Sequence, residues 1–280
     1  MTQKAQDPNY NYQPFCEQIA RDAGKIFLKY YRAGITGDAK GTGMGTGMGT
    51  KIKADKTVVT KADLEINALV IERIAEEFPT HRVLGEEESS VKLDSEYIWV
   101  CDPVDGTFPF SIHVPVSVFS LALTHNGDVI AAVIFDVHSD RLFFAQKGKG
   151  ALLDGVRIFV SKKSFDENPC VALDDSRWDG PDFAMLREYL RKQKCINFHF
   201  ACISMAGTLV SRGAIDALVF TGVNCWDAAG YALIVAEAGG KVTDLACNSQ
   251  RYDRPINGCI ASNGVLHDKL VEIVNEDLSK

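Results

Sequence analysis

The sequence predicts a mixed α/β (α+β) fold in which mixed sheets are sandwiched between helix pairs. Three observations carry that expectation: a helical apolar pattern opens the chain, a run of antiparallel strands fills the middle, and strands alternate with helices after about residue 150. No single linker separates autonomous units, and no stretch of about 20 to 50 residues recurs. The division expected is therefore two halves, an α+β half over residues 1–150 and an α/β half over residues 151–280.

Phe15, Ile19, Ala23, Ile26 and Tyr30 fall at helical spacing, which predicts an amphipathic helix over residues 14–33. The pattern stops at residues 41–50, GTGMGTGMGT, whose side chains cannot hold a core; a mobile loop is expected there. Thr60 and Asp63 form a capping box, and Ile66, Val70 and Ile74 continue on one helix face as far as Phe78-Pro79. Residues 97–101 and 116–124 read as strands, and Asn126-Gly127 turns the chain into another over 129–137. Residues 141–146 extend the series. Beyond Gly148 and Gly150 the order is strand 170–173, helix 181–192, strand 196–200, helix 203–212, strand 216–220 and helix 226–238. Gly239-Gly240 should close that helix, and Asn263 should cap a last one.

With 46% hydrophobic and 24% charged residues the chain can bury a sizeable core. Its 37 acidic against 30 basic side chains argue against nucleic acid or an anionic membrane as partner. The polar start and the lack of a long apolar run make the cytoplasm the expected location. Eight cysteines occur without a CxxC pair, so neither a zinc ribbon nor a redox dithiol is expected.

Acids gather in three places: Gly85-Glu86-Glu87-Glu88, Asp102-Pro103-Val104-Asp105-Gly106-Thr107, and Trp226-Asp227-Ala228-Ala229-Gly230. Asp102 follows an apolar strand, and Pro103 is expected to stop its ladder. Asp102, the Val104 carbonyl and Asp105 could then turn toward one point. Such hard oxygen donors suit Mg2+, whereas zinc would call for His or Cys. Two acids held this close repel unless a cation or proton intervenes. A helix beginning at Gly106-Thr107 would offer backbone N–H groups to a phosphate, with Gly106 permitting close approach. Asp63 and Asp227 also read as plain helix-capping residues, and Asn224 competes with Asp227 for that role.

These motifs, together with Val59-Thr60-Lys61-Ala62-Asp63 and Lys147-Gly148-Lys149-Gly150-Ala151 in the same order, resemble the inositol monophosphatase family. The resemblance spans nearly the whole chain. It implies a layered αβαβα sandwich of the sugar phosphatase type, often a homodimer, that hydrolyses a small phosphorylated metabolite with Mg2+. It further implies that Glu86, Asp102 and the Val104 carbonyl ligate one Mg2+ and that Asp102, Asp105 and Asp227 hold a second. Thr107, paired with Asp63 and assisted by Glu86, is implied to orient and deprotonate the attacking water, with Gly106 and Thr107 binding phosphate. Fructose-1,6-bisphosphatase, histidinol-phosphatase and 3'-phosphoadenosine 5'-phosphate phosphatase activities of the same superfamily remain open, as does a magnesium-binding regulator without catalysis.

The chain departs from the family in informative places. Pro109 stands where members commonly have Asn, which a first helical turn tolerates. Phe220 replaces a Glu that binds ring hydroxyls in inositol phosphatases, and a phenyl ring cannot accept a hydrogen bond of that kind. Ala201-Cys202 replaces a Gly-Ser or Gly-Thr pair. Asp174 and Arg177 lie in the loop expected to meet the substrate, where Arg177 and Trp178 could bind a second phosphate or an aromatic base.

Overall fold

A computed structural model describes residues 10–35, 51–52, 58–90, 94–174 and 183–279. The 41–50 repeat, Arg177 and Trp178 lie outside them. The chain opens with helix α1 (Gln13–Ile35) and two short antiparallel strands, β1 (Lys51–Ile52) and β2 (Val58–Val59). Helix α2 (Lys61–Glu77) follows, with Thr60 at its N-cap and the Thr60–Asp63 capping box formed as expected.

A seven-stranded sheet then builds up in chain order: β3 (Arg82–Gly85), β4 (Tyr97–Asp105), β5 (Val118–His125), β6 (Asp128–Asp136), β7 (Arg141–Gln146), β8 (Ala151–Leu153) and β9 (Val156–Arg157). β3 and β4 are parallel, and every later pair is antiparallel. Asn126 and Gly127 both have positive φ, 53° and 88°, which is the two-residue turn that the β5–β6 hairpin requires. A short helix, α3 (Thr107–Ser111), leaves the end of β4.

The second sheet has five strands in the order β11 (Ile196–Phe198), β10 (Cys170–Asp174), β12 (Ala217–Phe220), β14 (Cys259–Ser262) and β13 (Lys241–Thr243). The first three run parallel, and β14 is antiparallel to both of its neighbours. Helices α4 (Ala184–Lys192), α5 (Ile203–Ser211) and α6 (Cys225–Glu237) connect them, and α7 (His267–Leu278) follows β14.

Three apolar clusters show how these parts stack. Ile19 and Phe27 of α1 and Ile66 of α2 pack on Trp99, Phe119 and Leu121 of the large sheet. Its other face, with Val100 and Ile134, packs on Ala206 of α5 and Ile234 of α6, which also meet Leu218 and Ala261 of the second sheet. Leu186 of α4 and Leu270 of α7 cover the far face through Val219 and Ile260. The result is the αβαβα sandwich, two helices, sheet, two helices, sheet, two helices. β4 is buried almost throughout because both of its faces are covered, with Ile98 and Val100 on one side and Trp99 and Cys101 on the other. α6 is apolar nearly all round for the same reason.

Three local expectations need correction. Pro103 does not stop the ladder: β4 continues to Asp105, which pairs with Val118, and the register shifts between Asp102 and Asp105. Pro103 sits in that irregularity, where a missing N–H breaks no ladder bond. Asn263 is not the N-cap of α7; its Oδ1 accepts from the N–H groups of Val265 and Leu266 in the turn before the helix, at 3.0 and 3.1 Å. Asn224 holds the N-cap position of α6 but makes no side-chain capping bond.

Candidate active site

The acidic motifs meet where β3, β4 and the N-terminal ends of α2, α5 and α6 come together. β3 runs parallel to β4 with Gly85 opposite Cys101, and the Glu86 N–H donates to the Cys101 carbonyl at 3.1 Å. Glu86 is therefore placed beside Asp102. Asp102 and Asp105 are both buried, and the Val104 N–H donates to Asp102 Oδ1 at 3.1 Å, closing a tight turn within the bulge.

Asp63 reaches the same place from the first turn of α2. It is fully buried, and its Oδ2 accepts from the Thr60 N–H at 2.8 Å and the Thr60 hydroxyl at 2.5 Å. Asp63 thus caps α2 and also acts on Asp102. The Thr107 hydroxyl lies 3.0 Å from the Val104 carbonyl and 3.5 Å from Asp63 Oδ1. Having one proton, it gives it to the nearer carbonyl in this conformation, so the Thr107–Asp63 pairing is present but long.

Asp105 makes the connection to the second half. Its Oδ1 accepts from the Ile203 N–H at 3.1 Å and its Oδ2 from the Ser204 N–H, so a residue distant in sequence satisfies the first turn of α5. Ser204 then donates through its hydroxyl to the Asp227 carbonyl at 3.3 Å, linking α5 to the first turn of α6. None of these partners of Asp105 was expected from sequence. A helix start at residue 203 was legible, but which acid would cap it was not.

The electrostatics follow from burial and crowding. Burial pushes the Asp102 carboxyl well above its usual range, and Glu86, Asp105, Asp227 and Asp63 each push it further in the same direction. The other four expected acids therefore all act on Asp102. Burial raises Asp63 to about 7 despite the opposing Thr60 hydrogen bonds, with Glu87 and Glu86 adding to the rise. Burial also raises Asp105, to about 6, against the N–H groups of Ser204 and Ile203. Among the described residues no three His, Cys, Asp or Glu side chains are already drawn together around one metal-sized point. The donor chemistry nonetheless fits Mg2+, which keeps several waters and needs only one or two carboxylates directly. The Val104 carbonyl retains a lone pair after accepting from Thr107.

Gly106 has φ +84°, and a Cβ there would lie 2.7 Å from the Val116 carbonyl and 3.2 Å from that of Ala201. The end of β4 is thus packed against the loop that follows β11. Ala201 is exposed, while Cys202 is buried, with its thiol 3.4 Å from the Asp105 carbonyl. Asp174 and Phe220 end the parallel strands β10 and β12 side by side, and the Thr221 N–H donates to the Asp174 carbonyl at 3.1 Å. Phe220 is buried, and its ring lies over Gly222, where a Cβ would come within 2.0 Å of it. Pro109 is the third residue of α3, within its first turn.

Fold and site together define a class of protein, the phosphoric monoester hydrolases built as αβαβα sandwiches. Within it, the chain belongs to the inositol monophosphatase family, whose model matches residues 11–279. It is 33% identical over 221 residues to the fructose-1,6-bisphosphatase/inositol-1-monophosphatase of Thermotoga maritima, covering 79% of this chain and 84% of that one. To inositol monophosphatase 1 of Homo sapiens it is 27% identical over 251 residues, 85% of each chain. The solved structure of an IMPase/NADP phosphatase complexed with Mg2+ and phosphate has the same fold, with a TM-score of 0.79 at 20% identity over 94% of this chain and 95% of that one.

Proposed function

We propose that this phosphatase is a magnesium-dependent phosphomonoesterase acting on a small phosphorylated metabolite. The observation that carries the reading is Asp102, raised first by its burial and further by four surrounding carboxylates. An acidic pocket of this kind binds a phosphate ester only once cations have reversed its charge. In the proposed arrangement Glu86, Asp102 and the Val104 carbonyl hold one Mg2+, and Asp102, Asp105 and Asp227 a second. When bound, such a pair supplies Lewis acidity and water of lowered pKa.

The chain's own groups do the rest. Thr107 would orient the nucleophilic water, turning its own hydroxyl proton from the Val104 carbonyl to Asp63 as it takes the proton of the water. Glu86 assists from the facing strand end. Gly106 and Thr107 present backbone N–H groups to the phosphate. α3 spans only five residues, so these direct donors matter more than any helix dipole. Buried Phe220 supplies no hydroxyl acceptor, which favours a substrate other than inositol phosphate. A cytoplasmic homodimer, with neither nucleic acid nor membrane as partner, completes the proposal.

Phosphate release by wild type and Asp105→Asn, measured on inositol phosphate, fructose bisphosphate, histidinol phosphate and 3'-phosphoadenosine 5'-phosphate, tests it. At least one substrate should be cleaved by wild type and lose on the order of 100-fold in the variant. Equal background release from both proteins on every compound would favour a magnesium-binding regulator without catalysis.

A further inference from the structure

Asn67 lies one turn beyond Asp63 on α2 and is 1% exposed. Its Nδ2 donates to the Glu88 carbonyl at 3.1 Å, which fixes the orientation of the amide, while its Oδ1 is buried with no hydrogen-bond donor among the described residues. A buried amide oxygen left this way costs stability. The reason for tolerating it lies across the gap. A Cβ built on Gly85 would come within 2.2 Å of that Oδ1 and 2.4 Å of the Glu88 carbonyl. Only a glycine lets the amide lie flat against the chain at this point.

We infer that Asn67 is a positioning residue for Glu86. One amide reaches from the helix carrying Asp63 to both sides of the Gly85–Glu88 turn. It grips the carbonyl of Glu88 and rests on the Cα of Gly85, and Glu86 and Glu87 lie between those two points. The same helix that carries Asp63 is thereby tied to the turn that carries Glu86 and Glu87. No carboxylate has to give up a lone pair to do so. The backbone bond from the Glu86 N–H to the Cys101 carbonyl fixes one end of the turn against β4, and Asn67 fixes its other end, at Glu88, to α2.

The inference rests on the magnesium reading, and the experiment separates the two. Wild type and Asn67→Ala are titrated with Mg2+ by calorimetry and by the magnesium-induced rise in Tm, alongside kcat and substrate KM at saturating Mg2+. The variant should be folded, with its magnesium half-saturation raised about tenfold or more, its Tm rise reduced and its substrate KM unchanged. Should Asn67→Ala fail to fold, Asn67→Ser, which leaves a small polar group in the gap, is expected to show the same shift. A folded variant whose magnesium affinity and Tm rise equal those of wild type overturns the role of Asn67. A wild type that neither binds nor responds to Mg2+ overturns the metal reading instead.

Discussion

Asp63, Asp102 and Asp105 are carboxyls that the fold makes reluctant to ionise, and the cause is the same for all three: burial, reinforced for Asp63 and Asp102 by neighbouring acids. A raised folded-state pKa means that the native protein binds the proton more tightly than the unfolded chain does. For Asp63 that contribution to stability is fully present below its unfolded value near 3.8 and is lost as pH rises through about 7. Asp102 and Asp105 act in the same direction. Metal-free protein should therefore melt at progressively lower temperature between about pH 6.5 and about pH 8, above the range in which buried His267, lowered to about 4, works in the opposite direction, and Mg2+ should reverse the trend. A Tm in chelator that is flat or rises across that range would contradict the crowding of these acids. The motifs made the residue types legible, because Asp-Pro-x-Asp-Gly-Thr after an apolar run is a local pattern. Asn67 was not legible, since a lone Asn on a helix carries no signal until the strand it touches is in place.

Elements were read well where they are long or capped. The α2 capping box, the Asn126-Gly127 hairpin and β7 formed as the sequence implied, because each depends on residues a few positions apart. β3, β8, β9, β13 and β14, of two to four residues, were not foreseen. So short a strand shows too little alternation to be recognised and exists because a neighbour's ladder receives it. The bulge in β4 was misread for a related reason, since Pro103 ends a ladder only where its N–H would have been used. At the end of that strand Gly106 combines φ +84° with a carbonyl 2.7 Å from any Cβ. Gly106→Ala should cost about 1–3 kcal/mol by denaturant unfolding and lower kcat through displacement of Thr107. Unchanged stability would mean that the turn relaxes freely.

At the scale of the whole molecule, the middle helix layer does two things at once. α5 and α6 fill the space between the sheets, and their first turns bring Ile203, Ser204 and Asp227 to acids carried by the large sheet. Asp63, Asp102 and Asp105 are buried, and salt screens buried charges far less than exposed ones. Excess chelator should therefore reduce phosphate release to background and Mg2+ restore it, whereas raising salt from about 0.1 to about 0.5 M should change it much less. Release that persists in chelator would remove the metal from the mechanism.

The sequence by itself determined the layered class of fold, the family and the identity of the acids, because periodicity, caps and short motifs are local properties of the chain. Tertiary structure alone decided that Asp105 is held by the start of α5, that Phe220 turns its ring into the core over Gly222, and that Asn67 spans from α2 to the Gly85–Glu88 turn. Each of these depends on burial and on contacts between segments far apart in sequence, and neither exists until the two sheets have closed on the helices between them.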